Sequence, residues 1–391
     1  MSRFDEVIDR VGTHAMKWDM MEARYDVSPE DGLAMWVADM DFRAPDCISQ
    51  ALQGMVDHGI YGYYGDDRSY LDAIRWWASE RHGWQVAPEW IFSTHGLVNG
   101  ISMCLQAYTE PEDSVVLFTP VYHAFARVIR AMGRKVVECP LVLENGRYVM
   151  DVDEYDALMT GDEKMVILCS PHNPGGRVWS KAELQAVGSF AERHDLLLIS
   201  DEIHNDLVMP GHTHVPMAVA APDIMDRLVM MSATTKTFNI AGAHIGNVII
   251  PDDALRARFA KAMAAMGMSP NSFGLVMATA ACSPEGAAWV DELVQYLDGN
   301  RRLFDEGVNA IPGVQSMPME ATYLGWVDFA GTGMEREEFT RRVEREAKIA
   351  VNHGPTFGYG GERYLRFNFA TPRARVAEAV ARMQAAFADL Q

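Results

Sequence analysis

Six short apolar runs, at residues 115–118, 135–139, 165–169, 196–200, 228–232 and 245–250, follow one another along the middle of this chain, with longer amphipathic stretches such as 181–194 between several of them. Runs of that length are strand-like, and the stretches between them carry the period of a helix. A strand that returns through a helix to another strand makes a βαβ crossover. Strands without polar alternation are buried on both faces. The pattern therefore predicts an α/β fold around a mostly parallel sheet covered on both sides. Such sheets bind ligands beyond the carboxyl ends of their strands.

The texture changes after about residue 281. A long helical pattern at 286–308 leads into TYLGWVDFAG, a helix near 335–347, RYLRFNFATP and a last helix. We read a large domain over 46–281 and a smaller α+β domain over 282–391. Residues 1–45 carry no complete unit and are expected to pack on the small domain or on a partner subunit. At 391 residues with 49% hydrophobic content, the chain can bury extended cores. Its formal charge of −20 speaks against a nucleic-acid footprint and reads as a solubility feature. The N-terminal stretch MSRFDEVIDRVGTHAMKWD has charges throughout, which predicts neither a signal peptide nor a membrane span. Cys47, Cys104, Cys139, Cys169 and Cys282 lie far apart without metal-ligand spacing. Buried free thiols fit a cytoplasmic protein. The 25 methionines scatter through apolar stretches and read as core filling.

Three polar constellations stand after three of the apolar runs. SPHNPGG follows MVILC and presents the Asn173 amide on a turn fixed by prolines and glycines. SDEIH follows LLLI and puts Asp201 where a buried strand opens into a cleft, with His204 three residues on. SATTKTFNIAG follows the run at 228–232 and sets Lys236 beside the hydroxyls of Thr234 and Thr235. Each has an ordinary reading: a polar turn for Lys236, a metal site or helix cap for Asp201, a packed histidine for His204, a plain turn for Asn173. Earlier in the chain, in STHGLVNGISMCLQAY, Gly96, Leu97 and Val98 stand at a predicted helix start, where free N–H groups favour phosphate. Tyr122, in FTPVYHAF, is either a stacking ring or core. Tyr61 and Tyr63 lie in the aromatic loop IYGYYGDD. Arg366 alternates with apolar residues in RYLRFNFATPR and points inward, where it needs an anion: a substrate carboxylate or a structural salt bridge.

Taken together these residues meet the demands of one cofactor, pyridoxal 5′-phosphate (PLP). It needs an amine for a Schiff base, a carboxylate at its pyridine nitrogen, donors toward O3′ and phosphate, and a ring over its face. Lys236, Asp201, Asn173 and Tyr122 offer these in turn.

WVADMDF, YGYY, PVYHAF, SPHNPGG, SDEIH, KTFNIAG and LRFNFATPR, in this order over nearly the whole chain, resemble the fold-type I PLP enzymes of aminotransferase class I and II. More narrowly they resemble the MalY/PatB cystathionine β-lyase-like branch. The resemblance implies the PLP-dependent transferase fold, with a mostly parallel seven-stranded sheet in the large domain. It implies that Lys236 forms the Schiff base, Asp201 pairs with the pyridine nitrogen, Asn173 binds O3′, Tyr122 stacks on the ring and His204 lies at the cofactor. The amides of Gly96, Leu97 and Val98, with Thr235, would hold the phosphate. Tyr63 would reach the phosphate bound by the neighbouring subunit, which makes a homodimer with shared active sites part of the expectation. Arg366 would bind the α-carboxylate of an amino-acid substrate, with Tyr63 and Trp36 near its side chain. The chain departs from many aminotransferases in carrying His244 eight residues after the lysine and His204 three after the aspartate. The second departure agrees with the lyase branch. The expected reaction is α,β-elimination from an L-cystathionine-like amino acid, with Lys236 and Tyr122 as the catalytic side chains; an aminotransferase and a PLP-binding regulator stand as alternatives.

Overall fold

Seven strands form one twisted sheet: β1 (Ile91–Thr94), β2 (Ser114–Thr119), β3 (Lys135–Pro140), β4 (Glu163–Cys169), β5 (Leu197–Asp201), β6 (Leu228–Ser232) and β7 (Gly246–Ile249). Residues 2–269 and 271–390 are described in this computed structural model. The spatial order is β1-β7-β6-β5-β4-β2-β3. Neighbours pair parallel except around β7, which runs antiparallel to both β1 and β6. The expected mostly parallel seven-stranded sheet is therefore present. Every residue of β2 is buried, and so are nearly all of β4 and β5, as strands covered on both faces should be.

Four helices of this region position the site. They are α1 (Arg68–His82), α2 (Leu97–Tyr108), α3 (Lys181–Arg193) and the single turn α4 (Thr234–Thr237). Ser180 caps α3: its hydroxyl accepts from the Glu183 N–H, and Glu183 reaches back to the Ser180 N–H. Because β1, β2, β4, β5 and β6 all run the same way, their carboxyl ends share one edge. The segments carrying Gly96, Tyr122, Asn173, Asp201 and Lys236 all leave from that edge.

A second sheet lies toward the end of the chain: β8 (Gln315–Ser316), β9 (Leu324–Asp328), β10 (Asn352–His353) and β11 (Tyr364–Asn368), in the order β8-β9-β11-β10. Helices α5 (Pro284–Asn309) and α6 (Arg373–Ala386) accompany it. The N-terminal segment joins this part. Leu33 and Ala34 pair parallel with Ile349 and Ala350. Asp41, fully buried, accepts from Lys17 Nζ (2.9 Å), Trp18 Nε1 (2.9 Å) and Arg10 Nη1 (2.9 Å). Asn368 Nδ2 donates to the carbonyls of Val37 (2.7 Å) and Asp39 (2.8 Å). The loop around residues 37–41 is thereby strapped to β11 and laid across the carboxyl edge of the large sheet.

Candidate active site

The amine of Lys236 donates to the Ala38 carbonyl at 2.6 Å, so the strapped N-terminal loop forms one wall of the site. Lys236 sits on α4, directly after β6. Burial pulls its amine down to about 8; Asp39 and Asp201 oppose that shift, and Arg366 adds to it. An amine in that range is partly neutral at physiological pH, which both a nucleophile and a base require.

Asp201 ends β5 with its carboxylate buried. Its Oδ1 accepts from the Ile203 N–H at 3.1 Å, and no cation pairs with it among the described residues. Burial pushes its pKa up to about 7, and the neighbouring Glu202 adds to the rise. His204 is buried too, with Nδ1 lacking a partner and its ring edge-on to Tyr323 at 6.2 Å. Burial pushes it down to about 3, so the imidazole is neutral.

Arg366 is 1% exposed on β11. It donates to Asn173 Oδ1 (2.9 Å), to the Trp36 carbonyl (3.0 Å) and to Asn352 Oδ1, none of them anionic, while its Nε has no partner. The salt-bridge reading of this arginine is therefore not what the fold provides. Burial lowers the guanidinium to about 10, against the pull of Tyr122, Tyr25 and Tyr323. Its charge also lies over the Phe357 ring at 4.9 Å. Asn173, two residues past the cis Ser170–Pro171 bond and before the cis Asn173–Pro174 bond, spends its carbonyl oxygen on Arg366. Its side-chain amide N–H groups make no hydrogen bond among the described residues.

Gly96 adopts φ +90°, a backbone few side chains tolerate, and caps the start of α2. The first N–H groups of that helix, at Leu97 and Val98, have no intrahelical acceptor. A Cβ on Gly246 would meet Leu97 at 2.6 Å, so glycine there lets β7 approach the helix start. Thr234 Oγ1 is buried without a partner, and Thr235 is buried beside it. Tyr122 is partly buried, edge-on to His123 (4.9 Å) and Phe125 (5.5 Å), and burial raises its phenol. Burial is the main cause of that rise; the charge of Arg366 opposes it and that of Asp201 adds to it.

One expectation needs correction. The Trp36 side chain does not reach a substrate cleft: its Nε1 donates to the Lys17 carbonyl (2.7 Å), and its ring packs with Tyr25 (5.2 Å) and Trp18 in a separate buried cluster. The backbone bonds its carbonyl to Arg366, and the indole is turned away to fill apolar space. Tyr63 is fully exposed and touches none of these residues, and Tyr61 lies tilted against Phe273 at 5.7 Å. Several site groups escaped sequence reasoning: the Ala38 carbonyl, Asn352, Tyr25, which accepts from Asn352 Nδ2 at 3.0 Å, and Tyr323. Asn352 belongs to a two-residue strand and Ala38 acts through its backbone, so neither leaves a pattern of side-chain types.

The aminotransferase class I and II family model matches residues 37–383. Cystathionine beta-lyase PatB of Bacillus subtilis is 38% identical over 385 residues, covering 98% of this chain and 99% of that protein. Protein MalY of Escherichia coli is 30% identical, covering 97% of each. Among solved structures, cystalysin from Treponema denticola, which contains a pyridoxal 5′-phosphate cofactor, superposes with a TM-score of 0.94 at 32% identity over 100% of both chains.

Proposed function

We propose that this chain, which belongs to the aminotransferase class I and II family, is a PLP-dependent carbon–sulfur β-lyase that cleaves L-cystathionine-like amino acids to pyruvate, ammonia and a thiol. The observation that carries the reading is a pair of buried, uncompensated groups around one amine: a carboxylate without a cation at Asp201 and a guanidinium without an anion at Arg366. Burying charge without a partner is costly, so both groups await ligands of opposite sign. A protonated pyridine nitrogen answers Asp201, and an α-carboxylate answers Arg366. Orphaned Thr234 Oγ1, the free N–H groups opening α2 and the unspent amide of Asn173 fit the phosphate and O3′ of the same cofactor. The names of the relatives, PatB above all, support elimination over amino transfer.

Bound here, PLP supplies an aldehyde carbon for an amine and an electron-withdrawing ring that disperses negative charge from the substrate's Cα. The protein does the rest. Lys236 Nζ would anchor the cofactor through its amine, and the same amine, lowered by burial so that part of it is neutral, would take the proton from the substrate's Cα. Asp201 would hold a proton on the ring nitrogen by a charge-assisted hydrogen bond. Arg366, braced by Asn173, Asn352 and the Trp36 carbonyl, fixes the substrate carboxylate and so orients Cα toward Lys236. Tyr122 would cover the ring face, and its raised phenol keeps its proton, which makes it the candidate donor to the departing sulfur.

The active unit we propose is a homodimer in the cytoplasm. Ile60, Tyr61, Tyr63 and Phe273 are all exposed, with Tyr61 against Phe273, and a second copy would cover them and bring Tyr63 to the partner's phosphate. The test is direct: the PLP-loaded protein given L-cystathionine and no keto acid should release pyruvate and homocysteine in equal amounts, and Lys236→Ala should release neither. Turnover that depends on a keto acid and frees no thiol overturns the lyase reading.

A further inference from the structure

We propose that Asp206 is a positioning residue for Lys236, acting through Thr237; the inference rests on the reading of Lys236 above. Asp206 lies in the loop after β5, its side chain 4% exposed. Its Oδ2 accepts from Thr237 Oγ1 at 2.7 Å and from Trp77 Nε1 at 3.2 Å; its Oδ1 meets Trp77 Nε1 at 3.0 Å and His82 Nε2 at 2.9 Å. Trp77 and His82 belong to α1, and Thr237 is the chain neighbour of Lys236. One buried carboxylate therefore fastens the lysine's turn to a long helix from a distant part of the chain.

The turn needs such a tie. α4 has four residues, far too few to hold a helical conformation by its own hydrogen bonds. Its internal closures are Phe238 N–H to the Thr234 carbonyl (3.0 Å) and Ile240 N–H to that of Thr235 (3.1 Å). Against it lies a cavity of about 40 Å³ lined by Trp77, His82, Asp206, Met230, Thr234 and Cys282. Phe238 leans edge-on against Trp77 at 5.3 Å, the same helix that Asp206 grips. Burial would push the Asp206 carboxyl up, yet the hydrogen bonds from His82, Thr237 and Trp77 hold it below its ordinary range, so it accepts as a carboxylate. Lys236 has two tasks, holding the cofactor and reaching the substrate's Cα, and both depend on where its turn sits. The Thr237–Asp206 bond sets that position without touching cofactor or substrate.

Thr237→Val removes the donor at nearly constant volume and leaves the Trp77 and His82 bonds to Asp206, whereas Thr237→Ser keeps the hydroxyl. PLP is added to cofactor-free protein, its attachment is followed by absorbance, and the linkage is trapped with borohydride and located by mass. If the parent protein carries no adduct on Lys236, the reading of Lys236 fails before this one is reached. With the adduct present, Thr237→Val should attach PLP about 10-fold more slowly and lose about 10-fold in kcat on L-cystathionine, with KM changed less than about twofold. Melting of the cofactor-free variant should stay close to the parent's, and Thr237→Ser should recover to within about threefold in both rates. Attachment and kcat within about twofold of the parent in Thr237→Val overturn the proposal, as does a loss that follows melting and is not restored by serine.

Discussion

A carboxylate with no cation and a guanidinium with no anion make the cofactor-free site electrostatically strained at single residues. Asp201 is pushed up to about 7 by burial, helped by Glu202. Folding thus disfavours its charged form, so its cost is absent below the ordinary value of 3.8, grows as pH rises and is complete above about 7. Asp201→Asn keeps an oxygen for the Ile203 N–H and removes the charge. The cofactor-free variant should be more stable than the parent at pH 8 by about 1–3 kcal/mol, with the gain vanishing near pH 4, while PLP binding is lost. Denaturant melts at the two pH values and a PLP titration check this. Lys236 has the opposite sign. Its amine is lowered to about 8, so the neutral, nucleophilic form grows as pH rises through that value. The rate of PLP attachment to cofactor-free protein should climb across about pH 8 and level off above it, where a lysine with an ordinary pKa would keep climbing toward 10. Arg366→Lys keeps a charge but loses the planar fork, and the substrate KM should rise about 10- to 100-fold, the worth of one charged hydrogen bond.

At the scale of elements, a buried ion pair is one of the ties that hold the N-terminal segment. Lys17 and Asp41 are both fully buried, and Asp41 also takes Trp18 and Arg10. Asp41→Ala would leave Lys17 buried without its partner, a loss of about 3–5 kcal/mol in denaturant unfolding. The same variant should bind PLP more weakly, because the loop that Asp41 anchors presents the Ala38 carbonyl to Lys236. The elements around Asn173, Asp201 and Lys236 were legible in the amino-acid sequence because each follows an apolar run long enough to be a buried strand. Once those strands lie side by side, their ends share an edge. β1 was not among the runs read as strands: it is short and its middle residues are half-buried, so its apolar signal is weak. The strap of residues 37–41 over the site depends on Asn368 bonding two carbonyls more than three hundred residues away in sequence. A backbone acceptor has no side-chain signature, which is why Ala38 was missed, and Asn352 was missed because its strand is two residues long and carries no pattern. Trp36 was misassigned for the converse reason, since a motif fixes the position of an aromatic residue but not the side its ring takes.

For the whole molecule, the loop that carries Tyr63 is the most exposed of the segments assigned to the site. That side chain projects into solvent, with Ile60 and Tyr61 exposed beside it and Phe273 across from them. In the proposed homodimer, with its two-fold axis, each copy would lend Tyr63 to the other. Sedimentation should then give twice the mass of one chain, and Tyr63→Ala should weaken PLP binding with little effect on the melting of cofactor-free protein. Sharing of sites has a sharper consequence. Lys236→Ala and Tyr63→Ala are each expected to be poorly active alone, but they damage different contributions to the same site. Unfolded together in equal amounts and refolded, they pair at random, so half of the dimers are mixed and each mixed dimer has one site with both residues intact. About a quarter of all sites should then recover parental turnover. Equal mixtures that stay as inactive as their components, while the parent regains activity through the same refolding, would show that Tyr63 serves its own chain or none.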